Sequence, residues 1–299
     1  MAKKAAKSKK DKKYNVDDAW PIDEPTNVDE CLKRLVKLFN SGKKIECHGA
    51  SKLEHNRISS IRSKFDIRFS GNNKNKKNDE KKKEKKLLET FREKAFPFLP
   101  PEARQFIDVA RLKWNTYYNT GTMFIGRHYR LPTRCIDWTI DPFIALFFAC
   151  RDDHKEPGVV WWMYYDDFSN ALKTQWWPAY NKEENIADDF EQDFTEDKDK
   201  DILIRFHYQC FLDRPIKQKA HITFFGQYNA HHDKEIHRLG VRKCGRIVIS
   251  SDMKFELFGK LNKWGINSKA LGIEDSYVDT IAAKVADEIL GQDKNKKTK

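Results

Sequence analysis

No run of apolar residues in this 299-residue chain approaches the roughly 20 needed to cross a bilayer, which excludes a helical membrane span. The N-terminal stretch MAKKAAKSKKDKKYN has no apolar run behind its lysines, so it does not read as a secretory signal. The six cysteines (Cys31, Cys47, Cys135, Cys150, Cys210 and Cys244) form no C-x-x-C pair, which argues against a zinc ribbon or a disulfide scaffold. Reduced thiols in a cytoplasmic protein are the expectation. Walker-type loops and G-x-G-x-x-G are also missing, which argues against an NTPase or a Rossmann dinucleotide site. There is no internal repeat.

What is present is charge, 34% of all residues, with a net of +12. Its location matters more than its size. Residues 1–13 carry +6, the run NNKNKKNDEKKKEKK (72–86) +5, and residues 292–299 +3. The rest of the chain is therefore close to neutral, and nothing in the count demands a basic groove. These segments read as a solvated tail over 1–24, an inserted loop over 72–86 and a basic tail over 291–299. A polyanion held by salt-sensitive attraction is the alternative use. The acidic run EENIADDFEQDFTEDKDKD (183–201) reads as an exposed connection. That leaves one domain, 25–290, interrupted twice.

Local patterns place its elements. Asn27 with Glu30 three residues on is a capping signal, and Leu32, Leu35, Val36 and Phe39 follow at helical spacing. KKIECHGAS reads as a short strand running into a glycine turn. Helical stretches follow at Leu87–Ala95 and Phe106–Tyr117. Asp141-Pro142 starts a markedly apolar helix, since Asp can accept from free N–H groups and Pro suits the first helical position. VVWWMYY has the bulk of a central strand, and ILIRF, HITFF and RIVIS are further strands before two closing helices. Helices mainly precede strands, so the fold class is α+β, with a mixed or antiparallel sheet and flanking helices.

The segment HYRLPTRCIDWT, just before the apolar helix, carries more hydrogen-bonding groups than a helix start needs. Asp141 alone supplies the cap. Thr133, Arg134, Asp137 and Thr139 must bond each other or a ligand; an Arg134–Asp137 pair holding the turn is the structural option. The whole stretch RHYRLPTRCIDWTIDPFIALFFA resembles the central motif of the FRG domain, usually Q-H-Y-G-L-P-T-R-L-L-D-W-T, then N-P and an A-L-Y-F-A helix. His128, Tyr129, Leu131, Pro132, Thr133, Arg134, Asp137, Trp138, Thr139, Pro142, Ala145, Leu146, Phe148 and Ala149 match it. RPIKQKAHI resembles a later family element, with Arg214 and Gln218 in register. The chain departs from the pattern at Arg127 for Gln, at Arg130 and Ala220 for Gly, and at the name-giving F-R-G, which here reads Cys47-His48-Gly49.

His48-Gly49 on a first strand, with a later Thr-bearing strand running into the A-x-x-F-A-like helix, is similar to the ADP-ribosyltransferase arrangement. That resemblance implies NAD as a substrate, with no metal. His48, Asp137 and Gln218 would serve catalysis, and His48, Gly49, His128, Thr133, Arg134, Trp138 and Thr139 would bind NAD. An acceptor would attack the ribose as nicotinamide leaves through an oxocarbenium-like transition state. Proteins of this kind resemble toxins held inactive by an antitoxin, so an inhibitory partner protein is expected. A nucleic-acid acceptor recruited by the lysine-rich segments is expected as well. A non-catalytic module recognising a nucleic acid or nucleotide, and a hydrolase of NAD or a related nucleotide, stay open beside this.

Simpler readings stand next to several residues. His48 beside Gly49 could be a plain turn histidine. Cys47 and His48 are adjacent, so on a strand they point to opposite faces and make a poor nucleophilic pair. HHDKEIH (231–237) has no metal-ligand spacing and reads as a loop of solvent-exposed histidines. Trp161, Trp162, Tyr164 and Tyr165 could stack bases, but a buried strand explains them more simply.

Overall fold

The computed structural model describes residues 14–52, 63–70, 77–113, 118–152, 155–170, 203–207, 212–228 and 230–291. Tails 1–13 and 292–299, residues 72–76 of the lysine-rich run, Trp114, Tyr117 and the acidic run 183–201 lie outside them. In chain order the principal elements are α1 (Val16–Ala19), β1 (Ile22–Asp23), α2 (Val28–Phe39), β2 (Ile45–Ala50), α3 (Lys64–Ser70) and α4 (Lys77–Ala95). Next come α5 (Pro101–Lys113), α6 (Tyr118–His128), β3 (Cys135–Thr139), α7 (Pro142–Arg151), β4 (Gly158–Tyr164) and β5 (Leu203–His207). The chain ends with α8 (Asp213–Lys217), β6 (Ala220–Phe225), α9 (His232–Arg238), β7 (Cys244–Ile249), α10 (Ser251–Lys263) and α11 (Tyr277–Leu290). Among the described residues, no helix is long and apolar enough to cross a membrane.

The seven strands form one mixed sheet in the order β1-β7-β4-β2-β3-β6-β5. β1 and β7 are parallel, and every other pair is antiparallel. The α+β class with flanking helices is therefore the observed one. Side chains alternate across the strands with period two. On one face Cys47, Val160 and Ile247 pack under α2, α7 and α10. On the same face Cys135, Ile222 and Phe224 pack under α4, α5, α6 and α11. The opposite face buries Ile136, Trp138, Val159, Trp161 and Phe225 beneath α1, Trp20 and α9.

Local chemistry explains the helix starts. Asn27 accepts from the Glu30 N–H at 2.9 Å, while the Glu30 carboxylate returns to Thr26, one residue before the usual capping-box partner. Asp141 accepts from the Phe143 N–H at 3.0 Å with Pro142 in the first turn.

Three expectations need correction. Residues 14–23 are not tail: Trp20 is fully buried, edge-on to Trp161 at 5.2 Å, and β1 pairs with β7. An apolar anchor of that size outweighs the charged composition around it. The lysine-rich run is not a loop from residue 77 onward but the first half of α4. Its Glu80 and Glu84 continue the buried face of Leu87, Leu88, Phe91 and Ala95 at helical spacing. HHDKEIH forms α9 rather than a loop, and His232 is 1% exposed because it packs with Ile236 and Phe225.

Candidate functional site at the opening of the sheet

β2 follows β4 through six paired residues and β3 follows β6 through five. β2 and β3 meet at a single pair, Cys47 with Thr139. The sheet is thus two ladders joined at one point, opening between Gly49 and Asp137. The helical layer packs as two clusters along the same line, Cys47 of β2 with α7 and Cys135 of β3 with α6. His48 spans the gap: its Nδ1 donates to the Asp137 carbonyl at 2.8 Å, linking residues 89 apart in the chain. A carbonyl only accepts, so this bond fixes the proton on Nδ1 and leaves Nε2 as an acceptor. Burial pulls the His48 pKa down to about 4, against the opposing effect of Asp137, so the ring is neutral at pH 7.

Asp137 itself faces α6. Its Oδ2 accepts from both Nε and Nη2 of Arg127, each at 2.7 Å. Burial alone would raise this carboxyl, but Arg127 and then His128 hold it below the usual carboxylate range. Oδ1 is buried and has no hydrogen-bond partner among the described residues. A second carboxylate, Glu46, lies two residues before His48 on the same face of β2. It is 1% exposed, pairs through Oε1 with Arg205, and stands 3.3 Å from His221 Nδ1 through Oε2.

Most of the other expected site residues have structural partners; the buried Thr133 hydroxyl has no hydrogen-bond partner among the described residues. Arg134 does not pair with Asp137. It is 3% exposed, donates to Glu84 of α4 at 2.8 Å and to the Phe225 and Gly226 carbonyls, and lies over the Phe224 and Tyr228 rings. Arg134 sits at the bend before β3 and turns to α4, while Asp137 turns to α6. Trp138 Nε1 donates to Thr223 at 2.9 Å, with its ring beside His48 at 5.8 Å. Thr139 donates to the Gln218 carbonyl and accepts from the Asp141 N–H, tying β3 to the start of α7. Gln218, expected to be catalytic, is buried with its amide donating to the Leu271 carbonyl at 3.1 Å. Thr133 is buried with its hydroxyl beside the Cys135 thiol. His128 is buried behind Asp137, its pKa lowered to about 4 by burial, and its carbonyl accepts from Arg214.

Gly49 is required by packing. A Cβ there would lie 1.9 Å from the Ala145 carbonyl oxygen, so this face of the strand belongs to α7 and not to a ligand. Cys47 shares that face; burial pushes its thiol well above its ordinary value, which removes it as a nucleophile. The family's glycine after Tyr129 also has a visible reason. Arg130 occupies that position at φ +64°, the left-handed region that costs an ordinary residue about 1 kcal/mol. Its ion pair with Asp275 at 2.6 Å and its bond to the Ile273 carbonyl offset this.

Residues 57–157 match the family model of the FRG domain. Over that third of the chain it matches the FRG domain. The match takes in α4 to α7 and the whole motif, and it begins after β2, so His48 lies outside it. No curated protein and no solved structure matches the chain. Within the FRG domain the motif's main task is to fasten β3 to α4, β6 and α7.

Five residues that matter here carried little signal. Arg127 was only a departure from the family's Gln. Glu84 was hidden among lysines, although its spacing to Leu87 and Leu88 places it on the same helix face. His232 had only its spacing to Ile236 to mark it as buried. The Glu46–Arg205 pair links strands that are remote in sequence, and no local pattern announces it.

Proposed function

We propose that the protein is an ADP-ribosyltransferase-like toxin or defence effector acting in the cytoplasm, using NAD to modify a macromolecule. The observation that carries this reading is His48, beside Gly49 on β2, bonded across the β2–β3 opening to Asp137, with carboxylates on either side. In such a transfer the bond from ribose to nicotinamide breaks while an acceptor oxygen or nitrogen attacks, and positive charge develops on the ribose. The buried Asp137 Oδ1 lacks a donor, as suits a group that accepts from a ribose hydroxyl. Arg127 keeps that carboxylate ionised, and the neutral His48 contributes a fixed acceptor rather than a charge. Lysines along α4, with Lys82, Lys85 and Lys86 exposed, suit a nucleic-acid acceptor. An inhibitory partner protein belongs to the same reading.

One observation favours a second reading, a non-catalytic module that recognises a nucleotide or nucleic acid. Arg134, Trp138, Thr139 and Gln218 are all engaged inside the protein, so most of the motif presents no free reactive group. Incubation of the full chain with labelled NAD, with and without RNA, DNA or cell extract, separates the readings. Label on a macromolecule supports transfer, and nicotinamide release without transfer supports hydrolysis. Intact NAD under every condition, with polyanion binding retained, leaves the recognition module.

A further inference from the structure

Helix α2 carries two apolar stripes. Val28, Cys31, Leu35 and Leu38 are buried in the cluster shared with α7 and α10, as one face of an amphipathic helix should be. Leu32, Val36 and Phe39 recur at helical spacing on the neighbouring face, where Val36 is 43% and Phe39 55% exposed. The row continues beyond the helix. Phe39 lies 6.2 Å from the Phe143 ring of α7, and Phe143 lies 6.1 Å from Trp264, just past α10 and 54% exposed. Single exposed apolar residues are ordinary, but a continuous row across three helices marks a contact surface. A shallow groove of about 440 Å³ follows the α2 stripe, with Lys33 and Lys37 on its flank. Neither lysine has an ion-pair partner among the described residues.

Whatever covers this surface must be apolar along one side and acidic beside it. The chain's own acidic run has that pattern. Residues 183–201 hold ten acids against two lysines, and Ile186, Phe190 and Phe194 recur among them every four residues. The attachment points lead to the same place. Before the run, the Tyr165 N–H donates to the Lys44 carbonyl at 2.9 Å, and Lys44 is five residues past Phe39. After the run, Arg205 of β5 pairs with Glu46, two residues beyond Lys44. The chain is thus tied on both sides of the run to the start of β2, directly after α2. Between Asn170 and Leu203 the chain can span roughly 100 Å when extended, so reach is no obstacle. We propose that residues 183–201 dock on this chain's own α2, with Ile186, Phe190 and Phe194 against Leu32, Val36 and Phe39 and with acids facing Lys33 and Lys37. Apolar contact supplies most of the attraction, and the opposed charges set the register.

Two measurements on the full-length protein test this: carbodiimide coupling of lysines to carboxylates, and native-state chymotrypsin cleavage at Phe190 and Phe194, both mapped by mass spectrometry. Coupling should join Lys33 or Lys37 to an acid within 183–201, in the monomer and with a yield independent of protein concentration. Phe39→Ser should speed cleavage at least tenfold, and so should the pair Lys33→Glu, Lys37→Glu. All three side chains are exposed, so the melting temperature should hold within a few degrees and the fold should survive. Adding Asp189→Lys and Asp193→Lys to the lysine pair should return cleavage toward the wild-type rate, which a purely structural loss cannot do. Cleavage within twofold of wild type in both Phe39→Ser and the lysine pair overturns the proposal, as does coupling of 183–201 to other lysines alone. Coupling confined to a dimer that grows with concentration overturns it too, and assigns the stripe to a second copy of the chain.

Discussion

Replacing Glu84 by Ala tests whether the lysine-rich half of α4 is part of the fold. Glu84 is 6% exposed and serves two partners, Arg134 Nε at 2.8 Å and the Tyr228 hydroxyl at 2.8 Å. Its removal strands a guanidinium that is itself 3% exposed and retains only the Phe225 and Gly226 carbonyls and two aromatic faces. Breaking a buried pair in this way costs about 3–5 kcal/mol, a large part of a stability of about 5–15 kcal/mol. Glu84→Gln keeps the shape and one acceptor and should lose less, about 1–3 kcal/mol. The double variant Glu84→Leu, Arg134→Met removes both charges and should be more stable than the two single losses added together. Lys82→Ala, exposed on the same helix, is the control and should stay within about 0.5 kcal/mol of wild type. Urea unfolding with the midpoint and slope fitted separately reads all four. If Glu84→Ala also falls within about 0.5 kcal/mol, the docking of α4 described above is refuted.

Gly49→Ala should destabilise by about 1–3 kcal/mol or more, since the new methyl meets a backbone oxygen of α7 that cannot swing aside; an unchanged melting temperature would mean that α7 does not seat on β2. Stability should fall as pH drops from 7 to 5. His128 and His232 are buried, and their pKa values are depressed to about 4 and about 3, so the unfolded chain binds protons in this window and the folded one does not. The loss works out at about 2 kcal/mol for each, and a flat urea midpoint across the window would contradict it. His48→Ala should abolish NAD consumption with a melting-temperature change of only a few degrees; full activity with the folded variant would remove His48 from the site.

Legibility followed sequence distance. Asn27, Asp141-Pro142 and the strand runs each act on neighbours within four residues, so α2, α7 and β4 could be read directly. Partners far along the chain could not. Arg134 and Asp137 look like a pair because they are close in sequence, yet each finds its counter-charge elsewhere, Glu84 fifty residues back and Arg127 ten residues back. Composition misled in the same way. A run of lysines reads as solvated until one notices that Glu80 and Glu84 share a face with Leu87 and Leu88, and helical geometry decides by face, not by average charge.

The excess of polar groups before α7 therefore has two explanations, not one. Arg134, Trp138 and Thr139 join β3 to α4, β6 and the turn after Gln218, and their hydrogen bonds are complete. A ligand binding them would first have to break those bonds, at the penalty of a buried unpaired group. Asp137 and His48 differ. One oxygen of the first lacks a donor, and Nε2 of the second is a fixed acceptor beside a sheet that has already opened. Rigidly held strands with unsatisfied atoms between them are what a preorganised site requires, because the groups that bind need not move and those that hold them cannot. The proposed chemistry therefore rests on His48 and Asp137, and Arg134, Trp138 and Thr139 belong to the frame around them.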